Sequence, residues 1–213
     1  MRAPIDIVLC LHNAFRRDTL ELDDAAFKAA RSGADMTPIF DRLNITGEIL
    51  DYHAKGEDDV VFPAVEKVAS LVTKSYFLDH RELDAMVAGL KAMQTAPDAL
   101  TVARATAVLN GHLRIHLNKE DAHLYAILRE RTTDAEQVDI GALMSRSIPP
   151  DKYPTMIQWV LPLLDFEDQV VVAKGWANVM PPPVLVGIRP LIQKSVAGNW
   201  TNLIRSVPEL EQR

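Results

Sequence analysis

Cysteine, glycine and long apolar stretches are scarce in this sequence, and each scarcity excludes a class of protein. Cys10 is the only cysteine among 213 residues, so no disulfide can form within the chain, and we expect a small buried apolar residue there. Nine glycines and 13 prolines are too few for a disordered chain. The longest apolar run near the start, residues 7–11, is too short to span a bilayer and lacks the layout of a signal peptide. We therefore expect a cytoplasmic protein that has no membrane partner.

Positive charge is also in short supply. The chain has 23 Lys and Arg residues against 29 Asp and Glu residues, a net charge of -6, and it has no long basic run. Binding to phosphates requires clustered Lys and Arg, so we expect no nucleic-acid partner. Apolar residues make up 48% of the chain, which is ordinary for a globular protein, and the length allows a sizeable core.

Apolar residues recur with the period of α-helices, and few stretches alternate as strands do. The sequence therefore predicts an all-α fold, with helices over residues 7–32, 37 to about 63, 74–93 and 99–131. The connections between these helices are short, so neighbouring helices should be antiparallel.

Glycine and proline mark the ends of these predicted helices. Gly33 can adopt a left-handed conformation and end the first helix. Thr37 is predicted to cap the second helix, with Pro38 in its first helical position. Pro63 should kink or interrupt that helix, because proline cannot donate the backbone hydrogen bond that a helix needs. Residues 94–98 should form a turn.

The composition of the sequence changes after Thr132, where prolines become frequent between apolar segments that contain tryptophan. We predict three or four shorter helices there. The chain then divides into a bundle, residues 1–132, and a helical C-terminal extension, residues 133–213, which either packs on or beside the bundle or forms a small domain of its own.

An internal repeat is the most informative feature of the sequence. The first motif, residues 53–62, and the second motif, residues 116–125, both read His, three residues, Glu-Asp, three residues, aromatic. Each motif follows a further histidine one helix earlier: His12 lies 41 residues before His53, and His80 lies 36 residues before His116. The two halves are therefore helix hairpins of one design.

The spacing within each motif suits metal binding. Residues four apart lie on one face of a helix, so His53 with Glu57, and His116 with Glu120, can point at one metal or bridge two. With His12 and His80, the chain offers four imidazoles and two carboxylates, a set that suits iron better than metals that prefer thiolates. Iron with manganese, or zinc, would fit the same ligands. The alternative is that these pairs lie on exposed helix faces and bind nothing.

These six residues resemble the ligands of the hemerythrin-type cation-binding domain over about residues 5–131. The resemblance implies an up-down-up-down four-helix bundle with a di-iron centre, two iron ions joined by carboxylates and by an oxo or hydroxo bridge. The implied metal ligands are His12, His53, Glu57, His80, His116 and Glu120. The spacing differs from that of ferritin-like proteins, which place Glu three residues before His.

The sequence departs from the oxygen-carrying members of that family at Asp84, where they have a fifth histidine. This puts reversible oxygen carriage in doubt, and we expect Asp84 to support a ligand rather than to bind metal. His112 and His123 lie near the second motif, and we favour a supporting or surface position for both. Tyr52 and Tyr125 could donate a hydrogen bond near the metals or be oxidised, but we favour plain packing.

The extension is similar to the segment that follows hemerythrin modules in plant iron-regulatory ubiquitin ligases. The similarity lies in residues 156–169, which include Trp159, and in the later Trp176. It implies that the extension belongs to the module. We expect Trp159, Trp176 and Trp200 to pack in the core; the alternative is an exposed surface that binds a protein partner.

Three functions follow from these features. The first is a binding or sensing protein whose di-iron site takes up dioxygen, nitric oxide or peroxide, and we favour it slightly. The second is an enzyme, an oxidase or a peroxide-decomposing catalyst of the catalase type. The third is an iron-storage or structural metal protein. The sequence assigns no catalytic residue and leaves open whether the chain is an enzyme.

Overall fold

The computed structural model describes residues 3–211, and within this range every regular element is helical. The prediction of an all-α fold is confirmed. The α-helices are α1 (Ile7–Ser32), α2 (Thr37–Gly56), α3 (Phe62–Val68), α4 (Lys74–Ala92), α5 (Ala99–Lys119), α6 (Tyr125–Arg131), α7 (Asp134–Met144), α8 (Tyr153–Leu163), α9 (Phe166–Val179), α10 (Pro182–Ser195) and α11 (Trp200–Ser206). Short 3₁₀ turns connect several of them, and two π-helical segments, Glu57–Val61 and Glu120–Leu124, join α2 to α3 and α5 to α6.

Four long helices, α1, α2, α4 and α5, pack in a closed ring. Neighbours run in opposite directions, as α1 and α2 illustrate: His12 meets His53 late in α2, whereas Asp18, further along α1, bonds Thr46 earlier in α2. The other neighbouring pairs are also antiparallel. Between α1 and α5, Thr19 of α1 bonds Asn110, while the earlier His12 bonds Asp121, just after α5. Between α2 and α4, Gly47 lies against Val87 and Asp58, just after α2, bonds His80; between α4 and α5, Asp79 bonds Lys119 and Glu82 lies near His112.

The predicted helix ends are right at the first helix and off by one residue at the second. Gly33 adopts the left-handed conformation, with φ 68°, and its N–H donates to the carbonyl of Ala29. Thr37 is already helical and Met36 precedes the helix, so the prediction of Thr37 as cap is wrong. Asp35 does the capping instead, because its Oδ1 accepts hydrogen bonds from the Thr37 backbone N–H at 3.0 Å and from its hydroxyl at 2.9 Å.

The second long helix is interrupted before Pro63, as predicted: α2 ends at Gly56, and a π-helical segment precedes α3. Pro63 lies in the first turn of α3, directly after the π-helical segment that begins at Glu57. A proline ring clashes with the carbonyl four residues earlier in an α-helix, and the wider π turn relieves this clash. The second motif has the same π segment although the corresponding residue is Ala126, so proline alone is not its cause.

The extension contains five α-helices, α7–α11, in the part of the chain that the structure describes, so the prediction of three or four is wrong. Prolines were expected to separate helices there, but Pro162 and Pro190 lie inside α8 and α10. Pro162 is near the end of its helix, and packing maintains α10 around Pro190. None of the helices within residues 3–211 is long and apolar enough to cross a bilayer.

The extension packs directly on the bundle. Helix α7 lies against the π segment of the first motif, where a Cβ on Gly56 would come within 2.7 Å of Met144 Cγ. The Ser147 hydroxyl donates to the carbonyl of Tyr52 at 2.7 Å. Helices α8 and α9 lie against α1, and Trp159 and other residues of the extension join the apolar core of the bundle.

Candidate metal centre

The six residues predicted to bind metal converge between the four long helices. All six are buried, and their ligand atoms form two groups whose atoms lie within 4.8 Å of one another. The His12–His53 site contains His12, His53, Glu57 and Glu120; the His80–His116 site contains His80, His116, Glu57 and Glu120. Both carboxylates therefore belong to both sites, which is what bridging between two cations requires.

The imidazoles present their Nε2 atoms to the carboxylates. His53 Nε2 lies 3.3 Å from Glu57 Oε2, and His116 Nε2 lies 3.2 Å from Glu120 Oε1, as the spacing of four residues predicts. His80 Nε2 lies 3.4 Å from Glu57 Oε2, and His12 Nε2 lies 3.7 Å from both glutamates. Each glutamate thus faces histidines from both hairpins.

Several of these converging atoms have no hydrogen-bond partner. They are Glu57 Oε2, both carboxylate oxygens of Glu120 and His80 Nε2, and all are buried. A buried polar atom without a partner costs free energy, and most proteins avoid it. Because the unpartnered atoms surround one space and include the carboxylate oxygens, cations between them would satisfy them. Imidazole and carboxylate are ligands that suit iron, manganese and zinc.

Aspartates hold three of the four imidazoles by their outer nitrogen. His12 Nδ1 lies 2.6 Å from Asp121 Oδ1, and His80 Nδ1 lies 2.7 Å from Asp58 Oδ1. The carboxylate of Asp79 lies 3.3 Å from His116 Nδ1 and is itself bonded to Lys119. Such carboxylates orient an imidazole and strengthen its donor nitrogen towards a metal.

The sequence contained the signal for two of these aspartates, but we did not assign them a role. Asp58 and Asp121 directly follow the glutamates of the two motifs. Successive residues on a helix point roughly 100° apart, so a glutamate facing the centre places the next residue towards a neighbouring helix. There Asp58 meets His80 of α4, and Asp121 meets His12 of α1.

His53 is held differently from the other three histidines. Its Nδ1 is buried and has no hydrogen-bond partner. Its ring packs instead against Phe15, with ring centroids 5.3 Å apart. Packing against Phe15 therefore helps to orient the His53 imidazole, whereas aspartates orient the other three imidazoles.

Tyr125 is part of the centre, so the interpretation of this residue as plain packing is wrong. It is fully buried, and its hydroxyl donates to Glu57 Oε1 at 2.6 Å. Burial, together with the charges of Glu57 and Glu120, raises the pKa of Tyr125 well above its usual value. The phenol therefore stays protonated and fixes one oxygen of a carboxylate that both sites share.

The histidines differ in their affinity for protons. Burial disfavours a charged imidazole at His12, but hydrogen bonds to carboxylates and nearby negative charges raise its pKa to about 9. Burial is likewise outweighed at His80, whose pKa rises to about 11 because Glu120 and Glu57 face it. Burial lowers the pKa of His53 to about 4. The raised pKa values of His12 and His80 favour their protonated forms beside the two glutamates, and a cation that binds there would compete with these protons.

The remaining candidates lie away from the converging atoms. Asp84 is exposed and belongs to neither group, so the expectation that it supports a ligand is wrong. His112 is half-exposed near Glu82, and His123 is exposed, in agreement with the favoured surface position. The hydroxyl of Tyr52 donates to Glu48 at 2.8 Å, outside the centre.

Comparison with known proteins agrees with this geometry. The model of the hemerythrin HHE cation-binding domain matches residues 3–128, which include all six converging residues. Two proteins named zinc finger protein BRUTUS-like, from Arabidopsis thaliana, are 23% and 22% identical over 92% and 84% of this chain. Zinc finger protein BRUTUS from the same plant is 25% identical over 74% of the chain. This chain covers only 16%, 15% and 13% of these relatives. No solved structure gives a significant match.

Proposed function

This chain belongs to the hemerythrin HHE cation-binding domain family, and we propose that it holds two iron ions and senses a small oxidant or gas, namely dioxygen, nitric oxide or peroxide. The observation that carries the proposal is the cluster of buried ligand atoms, several without partners, around one space between the four long helices. In this proposal His12 and His53 hold one ion and His80 and His116 hold the other. Glu57 and Glu120 bind both.

Iron bound there would supply reversible one-electron chemistry and affinity for small oxygen- and nitrogen-containing ligands. The residues of the chain would supply the rest. Asp58 and Asp121 hold imidazoles in position, and Tyr125 fixes one oxygen of Glu57. The buried apolar side chains around the centre exclude bulk water and so strengthen every electrostatic contact within it.

A small pocket lies beside the centre, at the outer side of His116. This pocket of about 60 Å³ reaches His116 and is lined by Asp79, Leu83, His112, Ile115 and Lys119. One water molecule needs roughly 10–15 Å³ of such space, so the pocket admits a diatomic molecule or peroxide but no large organic substrate.

Sensing fits the chain better than reversible oxygen carriage. The position of the fifth histidine in oxygen-carrying relatives is the exposed Asp84, which leaves four imidazoles. The extension packs on the π segment that contains Glu57, so a change at the centre has a direct path to a second part of the molecule. The chain spans about one-sixth of the length of the BRUTUS-like protein to which it is 23% identical, and we propose that the extension contacts a protein partner or another part of a longer protein.

Peroxide decomposition is the second candidate. The observation that favours it is the bonded pair of Asp79 and Lys119, which lines the pocket beside His116 and offers protons there. Such groups beside redox-active iron assist cleavage of an oxygen–oxygen bond.

Reconstitution with iron tests the proposal and separates the candidates. Protein loaded anaerobically with ferrous iron is exposed in turn to dioxygen, nitric oxide and hydrogen peroxide, while absorption spectra and peroxide consumption are followed. A sensor should give a stable spectral change and at most a few turnovers. Sustained consumption of peroxide would favour the enzyme, and reversible oxygenation would contradict our argument from Asp84. No spectral response to any of the three would overturn the proposal.

A further inference from the structure

The four imidazoles of the centre are not held equally well. His12, His80 and His116 each have an aspartate at Nδ1, at 2.6, 2.7 and 3.3 Å. His53 has no such partner at Nδ1; its ring packs against Phe15, 5.3 Å away between centroids, and its Nε2 lies 3.1 Å from His12 Nε2. Of the four, His53 is therefore the imidazole whose outer nitrogen no aspartate holds, so the packing of Phe15 has more influence on its orientation.

The extension in turn contacts Phe15. The indole of Trp159, on α8, lies 4.9 Å from the ring of Phe15 between centroids. His53, Phe15 and Trp159 thus form a row of three rings that runs from the centre to the extension. The ring of Phe15 lies between the candidate ligand His53 and Trp159, although the two are 106 positions apart in the sequence.

A buried carboxylate fixes the outer end of this row. Trp159 Nε1 donates to Asp18 Oδ2 at 3.1 Å, and the carboxylate of Asp18 also accepts from Arg42 Nε at 2.7 Å and from the hydroxyl of Thr46. Trp159 and Asp18 also line an open pocket of about 360 Å³, where Thr155 and Pro162 of the extension meet Arg42 of the bundle. The hydrogen bond to Asp18 and burial in the apolar core therefore together hold the indole in place.

We propose that Phe15 and Trp159 are positioning residues for His53, so that docking of α8 sets the metal affinity of the His12–His53 site and not that of the His80–His116 site. This inference rests on the proposed function, since it requires that both sites bind metal. Coupling of this kind is reciprocal. Metal at the His12–His53 site then stabilises the docking of α8, which gives the extension a direct way to report occupancy.

A matched pair of variants separates this role from ordinary core packing. Phe62 stacks on His80 with centroids 5.1 Å apart, much as Phe15 packs on His53, but His80 also has Asp58. Phe15→Leu and Phe62→Leu remove similar buried area, so both should lower the free energy of unfolding. Stepwise ferrous binding is measured by anaerobic calorimetry. We expect Phe15→Leu to weaken one of the two binding steps roughly 10-fold or more, the range seen when support of a metal ligand is lost. Phe62→Leu should leave the ratio of the two steps close to wild type.

A second pair tests the link to the extension with milder changes. Trp159→Phe keeps an aromatic ring but loses the hydrogen bond to Asp18, whereas Trp176→Phe changes another buried tryptophan of the extension. Trp159→Phe should weaken the same binding step as Phe15→Leu, and Trp176→Phe should not. In the wild type, ferrous iron should slow amide hydrogen exchange in α8, and Phe15→Leu should abolish most of that protection. Circular dichroism confirms that each variant is folded.

The outcomes distinguish this inference from the proposed function. If the wild type binds no iron, the proposed function fails and the inference fails with it. If the wild type binds two ions but Phe15→Leu and Phe62→Leu change the two binding steps alike, only the inference is overturned. Unchanged binding in Trp159→Phe, together with no effect of iron on exchange in α8, would also overturn it. Selective weakening of one step in Phe15→Leu and Trp159→Phe would establish it.

Discussion

The first and second motifs share one sequence pattern, yet the structure surrounds them differently. In both, a π-helical segment begins at the glutamate, and the aspartate that follows bonds a histidine of a neighbouring helix. The aromatic residues differ: Phe62 stacks on His80, whereas Tyr125 bonds Glu57 of the other motif. The repeat therefore determines where the ligands lie, and the surroundings determine how firmly each is held.

The largest expected effect comes from what both sites share. Glu57→Gln and Glu120→Gln each remove a carboxylate that belongs to both sites, so each should reduce bound iron from two ions to fewer than one per chain. Metal analysis after desalting measures the loss. Glu130→Gln, which changes an exposed glutamate of α6, is the control and should retain both ions. Retention of one full equivalent in either variant would mean that the carboxylates serve separate ions.

A smaller effect is expected from the aspartates that the two motifs have in common. Asp58→Asn and Asp121→Asn weaken the bonds to His80 and His12, so each should lower iron affinity by about 10-fold or more. Competition with a chelator measures the affinity. Asp59→Asn, next to Asp58 but exposed and bonded to Lys55, should have no effect. If Asp59→Asn weakened binding as much as Asp58→Asn, general charge rather than these hydrogen bonds would be responsible.

The feature that distinguishes the second motif should affect stability. Tyr125→Phe leaves a carboxylate oxygen of Glu57 without its 2.6 Å hydrogen bond, so the free energy of unfolding without metal should fall by about 1–3 kcal/mol. Urea denaturation monitored by circular dichroism measures it. Tyr76→Phe removes a longer bond of 3.3 Å to a backbone carbonyl and should cost less. An equal loss in the free energy of unfolding for both variants would show that the hydrogen bond to Glu57 contributes no more than the bond of Tyr76.

The smallest effects should come from residues near the motifs that the structure places outside the centre. Asp84→Asn and His112→Gln change exposed side chains, so stability should stay within about 0.5 kcal/mol and iron binding should not change. The same calorimetric and denaturation experiments report both quantities. Loss of an ion in Asp84→Asn would mean that Asp84 takes part in metal binding and would contradict its placement outside both groups of ligand atoms.

The sequence was sufficient to predict which side chains form the candidate metal centre. It was not sufficient to predict all the residues that hold these side chains in place. A spacing of four residues on a helix fixes which side chains share a face, so His53 with Glu57 and His116 with Glu120 could be paired in advance. The bonds from Asp79 and Tyr125 depend on how helices sit relative to one another, which periodicity does not specify. The same holds for the row from His53 to Trp159, whose members are distant in the chain.

The helices were predicted well where apolar periodicity is long and less well where prolines interrupt it. The end of α1 at Ser32 and the start of α4 at Lys74 agree with the pattern. The π segments were missed because they change backbone hydrogen bonding without changing which residues are apolar. The number of helices in the extension was predicted too low because frequent prolines obscure helix boundaries there: Pro162 and Pro190 lie inside helices, and α10 packs against α8.

Iron content after anaerobic reconstitution tests the central claim most directly. The purified chain is stripped with a chelator, loaded with ferrous iron and desalted, and iron per chain is measured by plasma mass spectrometry beside an absorption spectrum taken after exposure to air. The account predicts two irons per chain and the absorption of an oxygen-bridged pair. A chain that retains no iron, with helices as stable after chelation as before, would contradict it.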